Sequence, residues 1–106
     1  MAEGLTIEDL RKRIDVIDEQ LVRLLNVRVA CAVEVGRLKN DLGLAVYQPD
    51  REAKVLGAVR QAATDLAGPL TAEAVVRIFE RIIDEARRLE RIGNTDDRTI
   101  GQSGDR

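Results

Sequence analysis

The sequence predicts an all-α chain of three helices, the first of them long, that pairs with a second copy of itself. Three observations carry this. A heptad seam runs through the first forty residues, two later segments keep helical spacing between strong punctuation, and no stretch alternates as a strand would. The 106 residues are 44% hydrophobic and 34% charged, which suits one small globular domain.

The first helix is expected from about Ile7 to about Asn40. Leu10, Ile14, Ile17, Leu21, Leu24, Arg28, Cys31, Val35 and Leu38 alternate spacings of four and three. Thr6 with Asp9 is an N-terminal capping signal. Gly36 is a weak point, or a place where another backbone comes close. About 33 residues at roughly 1.5 Å each make a rod of about 50 Å. A chain of this size folds into a globule only about 35 Å across. Part of the seam therefore needs an outside cover, and a second copy is the simplest one.

Asp41 to Gln48 reads as a loop containing Gly43. Pro49 suits the first turn of a second helix, with Gln48 near its cap and Asp50 and Glu52 at the positive dipole end. Val55, Leu56, Val59, Ala62, Ala63 and Leu66 keep helical spacing to about Asp65, and Gly68-Pro69 breaks it. Thr71 caps a third helix, with a staple between Leu70 and Val75. Its stripe is Val75, Ile78, Phe79, Ile82, Ile83, Ala86 and Leu89, and Gly93 is a C-terminal stop. The expected organisation is a helical domain over residues 1–93 and a disordered polar tail over 94–106.

Composition excludes several functions. Tyr47 and Phe79 are the only aromatics and the net charge is −2, so there is neither a stacking platform nor a basic track for nucleic acid. No run of 18 apolar residues crosses a membrane, and the opening Met-Ala-Glu-Gly is not a signal peptide. The single cysteine, Cys31, has no internal disulfide partner, and the expected location is the cytoplasm. With no histidine, Ser-His-Asp triads, Cys-His dyads and histidine metal sites are excluded together.

Two charges stand where apolar residues belong. Arg28 interrupts the seam, and Glu90 continues the series Phe79, Ile83, Ala86. A buried unpaired charge costs several kcal/mol and is usually neutralised, paired or functional. For Arg28 a structural reading, as a register-setting residue or a buried ion pair, weighs as much as a functional one. Glu90, near the helix end, can reach water. Lys39, Arg51 and Glu52 are unremarkable singly. Residue types alone support a helical dimer with inward cations, suited to an anionic small molecule.

The ordered combination is more specific. Leu10-Arg11 through Leu24-Leu25, Arg28, Ala32-Val33-Glu34-Val35-Gly36, Lys39, Asp50-Arg51-Glu52, Ile78-Phe79, Ile82-Ile83 and Glu90 together resemble the all-α class of chorismate mutases. The likeness covers roughly residues 6 to 91. It implies an intertwined homodimer whose long first helices are shared. It also implies the Claisen rearrangement of chorismate to prephenate, on the route to phenylalanine and tyrosine. That reaction is pericyclic and requires no metal or cofactor.

By position, the resemblance gives Arg28, and Arg11 from the other subunit, to the two substrate carboxylates, where guanidinium forks fit. Lys39 would bind the enol ether oxygen and a carboxylate. Arg51 would support the site, and Glu52 would accept from the ring hydroxyl. Glu90 falls where the family sets Gln or Glu against the ether oxygen, a task that requires a protonated carboxyl. Burial would raise its pKa and Lys39 would lower it. Trapping of the chair-like conformer plus electrostatic stabilisation should supply on the order of 8 kcal/mol.

Two positions depart from the family. Gln48 replaces the acid that many members carry before the proline, which bears on ring-substituent specificity. Ala86 replaces a serine found in some members, a lost carboxylate contact. Relatives of the same fold act on 4-amino-4-deoxychorismate or cleave pyruvate from isochorismate, and some of these also have Gln at this position. Glu52 favours the ordinary mutase. A non-catalytic helical dimer or regulatory module is the alternative of a different class. Activation by a partner enzyme of the aromatic pathway, as with some small mutases, is compatible with the sequence.

Overall fold

The computed structural model describes residues 4–45 and 48–102, with side chains as far as residue 92. Three helices follow one another: α1 (Ile7–Asp41), α2 (Pro49–Leu66) and α3 (Ala72–Gln102). No strand occurs among the described residues.

The ends of the helices follow their local chemistry. The Thr6 hydroxyl accepts from the Asp9 N–H at 3.0 Å, and Asp9 Oδ2 accepts from the Thr6 N–H at 3.1 Å, a reciprocal capping box. At the other end of α1, Leu44 N–H donates to Lys39 O at 2.7 Å and Gly43 N–H to Asn40 O at 3.2 Å. This Schellman closure needs a left-handed residue, and Gly43 supplies it with φ +73. Pro49 opens α2. Ala67 closes it in the left-handed region at φ 55, just before Gly68-Pro69. Thr71 caps α3, its hydroxyl accepting from the Ala74 N–H at 3.1 Å.

One boundary is corrected. Gly93 does not stop the third helix, and residues 94–102 are helical rather than a disordered tail. A lone glycine costs a helix only about 1 kcal/mol relative to alanine, and no proline follows it, so the backbone ladder carries through. Residues 103–106 lie outside the described residues.

The chain divides into two units, Met1–Cys31 and Ala32–Arg106. In the first, all described residues are exposed except Arg28 and Val29, which are half-buried. Its seam residues Leu10, Ile14, Ile17, Leu21 and Leu24 are 43%, 52%, 45%, 50% and 65% exposed, so the single chain leaves this apolar row uncovered.

In the second unit α2 and α3 pack against each other as an antiparallel hairpin. Val55, Leu56, Val59 and Ala63 of α2, and Val75, Val76, Phe79, Ile82, Ile83 and Ala86 of α3, are half-buried or buried. Arg60 Nη1 meets Glu73 Oε2 at 2.7 Å near the connection, and Arg87 pairs with Glu52 toward the far end. Among the described residues only Gly36, Val76 and Ala86 are buried. No described helix is long and apolar enough to cross a membrane.

Candidate active site

The last turns of α1 carry the first part of the site. Gly36 is buried, and a Cβ built there would lie 3.3 Å from Glu90 Cγ and 3.5 Å from Glu90 Cδ. The glycine thus makes room for the Glu90 side chain arriving from α3. What comes close at Gly36 is a side chain, not the backbone that glycine often admits.

Lys39 follows three residues later, on the same side of α1. It is half-buried, and its Nζ donates to Gln48 Oε1 at 2.9 Å. Gln48 stands in the cap position of α2 with extended backbone, but its side chain makes no capping hydrogen bond. Its amide oxygen is directed to Lys39 instead.

Glu90 is half-buried, and its pKa lies above the ordinary carboxylate value. Burial raises it by penalising the charged form, while the Lys39 ammonium and then the Arg87 guanidinium pull it back down. The net direction is upward.

On α2, Glu52 is half-buried and paired with Arg87 of α3. Arg87 Nη1 also lies 3.4 Å from Asp84 Oδ1, a long contact one turn back along α3. Ala86, the residue before Arg87, is 4% exposed. Arg51 is exposed and lines, with Gln48, Pro49, Asp50 and Lys54, a cavity of about 460 Å³ at the start of α2.

The second unit thus brings together Lys39, Gln48, Glu52, Ala86 and Glu90, with Arg51 one residue along from Glu52. Arg11 and Arg28 stand on the first unit, Arg11 exposed and Arg28 half-buried on the seam. Arg87 escaped the sequence reading. Its signal was available: it follows Ile83 by four and Phe79 by eight, so it borders the apolar stripe as Glu90 does.

Comparison with known proteins gives the family. The sequence profile of the family described as chorismate mutase type II matches residues 10–91. The chain is 41% identical over 91 residues to a bifunctional chorismate mutase/prephenate dehydratase of Neisseria gonorrhoeae, covering 81% of this chain and 24% of that protein. It is 26% identical over 85 residues to a chorismate mutase of Methanocaldococcus jannaschii, covering 80% of this chain and 84% of that one. A solved structure, chorismate mutase form II from Thermus thermophilus, superposes with a TM-score of 0.74 at 33% identity, covering 80% of this chain and 93% of that chain. The chain spans about a quarter of the length of the bifunctional relatives it matches. With the profile covering most of the chain and its three-helix order repeated in a solved member, this protein belongs to the type II chorismate mutase family.

Proposed function

We propose that this chain catalyses the Claisen rearrangement of chorismate to prephenate, in the cytoplasm, as a homodimer serving aromatic amino-acid synthesis. The observation that carries the chemistry is the convergence of Lys39 and a pKa-raised Glu90 over Gly36. As the ether C–O bond breaks, negative charge grows on its oxygen. The Lys39 ammonium and the protonated Glu90 carboxyl stabilise that charge without transferring a proton. Arg28 and the partner subunit's Arg11 hold the two carboxylates as bidentate forks. Glu52 accepts from the ring hydroxyl, Arg51 supports the site, and Ala86 leaves space at the wall. Holding the substrate in its reactive chair lowers the entropy loss on the way to the transition state.

The exposed seam supports the dimer. A row of half-exposed Leu and Ile at heptad spacing suits a helix with the same repeat, and the sparse core of the single chain calls for further burial. A larger enzyme of the same pathway is compatible as an additional, activating partner.

Gln48 favours a second reading, the same fold acting on the 4-amino analogue or on isochorismate. The test is turnover of chorismate, 4-amino-4-deoxychorismate and isochorismate, followed by loss of each substrate, with Arg28→Ala as control. Chorismate should be consumed fastest, and Arg28→Ala should lose at least about 100-fold in kcat/KM. Faster loss of either analogue reassigns the substrate. Loss of none of the three leaves a non-catalytic helical dimer.

A further inference from the structure

We infer that Arg87 is a positioning residue for ring-substituent recognition: its guanidinium, reaching from α3 to α2, fixes the Glu52 carboxylate that accepts the substrate's ring hydroxyl. The inference rests on the mutase reading above and extends it to a residue outside the set carried by the resemblance.

The geometry separates this pair from an ordinary surface bridge. The two ends of the α2–α3 hairpin each carry one Arg–Glu pair. At the connection, Arg60 and Glu73 are 49% and 67% exposed, whereas Arg87 and Glu52 are 25% and 29% exposed. Exposed pairs are exchanged readily for water and constrain little. A pair largely withdrawn from water holds its partner's orientation, because leaving either charge alone there is costly.

The site's charges make the same point. In the mutase reading Glu52 and Glu90 both face a substrate that is itself a dianion. Left unpaired, Glu52 would repel it. Arg87 lies between the two carboxylates in sequence order on the site face, pairing directly with Glu52 and acting on Glu90 from a distance. It holds the Glu52 carboxylate turned as an acceptor, so that a ring hydroxyl rather than a bare ring carbon is preferred at that point. Gln48 already commits its amide oxygen to Lys39, so Glu52 is the carboxylate to which the resemblance gives this task.

The experiment compares kcat/KM for chorismate with kcat/KM for an analogue lacking the ring hydroxyl, in wild type, Arg87→Met, Glu52→Gln and the double variant. The readout is the ratio of the two substrates, because a purely structural loss lowers both and leaves the ratio alone. Arg87→Met should reduce the hydroxyl preference by about tenfold in the wild-type background and not further once Glu52→Gln is present. An unchanged ratio, or equal reductions in both backgrounds, overturns the inference. If Arg87→Met loses its helical circular dichroism, Arg87→Lys decides: it keeps the charge but not the fork, and should show a smaller reduction that again vanishes with Glu52→Gln. Wild type inactive on chorismate sinks the mutase reading itself, whereas an active wild type with an insensitive ratio sinks only the role of Arg87.

Discussion

Glu90 lies against Gly36 so closely that a single added methyl would stand 3.3 Å from its Cγ. The α1 backbone and the Glu90 side chain therefore compete for the same space. Gly36→Ala should gain up to about 1 kcal/mol of helix propensity. The Glu90 side chain must yield by a few tenths of an ångström. Thermal unfolding should show unchanged or raised stability, while kcat/KM on chorismate falls by about tenfold. Equal activity in the variant would show that Glu90 need not sit there.

The raised pKa of Glu90 has a definite sign. The donating form is the protonated one, so kcat/KM should decline as pH rises through the elevated value. Between about pH 5 and about pH 9, Glu90→Gln should flatten that decline, since an amide donates at every pH. A wild-type profile flat over the range removes Glu90 from the ether oxygen. Stability follows the same direction. The folded state holds this proton more tightly than the unfolded chain, so its contribution is fully present below the ordinary carboxylate value and lost as pH rises through the elevated one.

The seam gives a prediction about assembly. Leu21 is half exposed in the single chain, and a second copy would bury it. Sedimentation of the wild type at micromolar concentration should find a dimer. Leu21→Glu places a charge in that dry seam, at a cost of several kcal/mol per interface. It should shift the protein to monomer and abolish turnover together. A wild type that sediments as monomer while remaining active contradicts the shared site.

The two hairpin pairs should differ in weight. Glu73 is held below its usual pKa by a backbone N–H and by Arg60, yet it is exposed. Glu73→Gln should leave the midpoint of a denaturant titration nearly unchanged. Any loss should concern only pH above the usual carboxylate value, because a depressed carboxylate stabilises there and ceases to as it protonates.

Much of this was legible in the residues. Thr6–Asp9, Gly43, Pro49 and Thr71 each act through short-range chemistry, and each terminates or starts a helix as its type dictates. Gly93 misled because a glycine marks a stop only when the following backbone turns away, and that depends on more than the residue itself. Lys39, Glu52 and Glu90 were singled out through the resemblance, Glu90 also as a charge on an apolar stripe. Arg87 and the Lys39–Gln48 bond were not, since pairing between helices depends on how the hairpin is registered. Periodicity along one helix carries no information about that register.

The Schellman closure ties two tasks to one residue. The carbonyl of Lys39 receives the Leu44 amide, so the lysine that aims its ammonium at Gln48 is also the one that ends α1. Extra residues spliced in beyond Leu44 would leave that anchor intact and lengthen only the span to α2. Deleting Gly43 would instead unwind the final turn and swing the ammonium off its bearing. Tolerance to insertion should therefore change abruptly on crossing from Gly43 to Ala45.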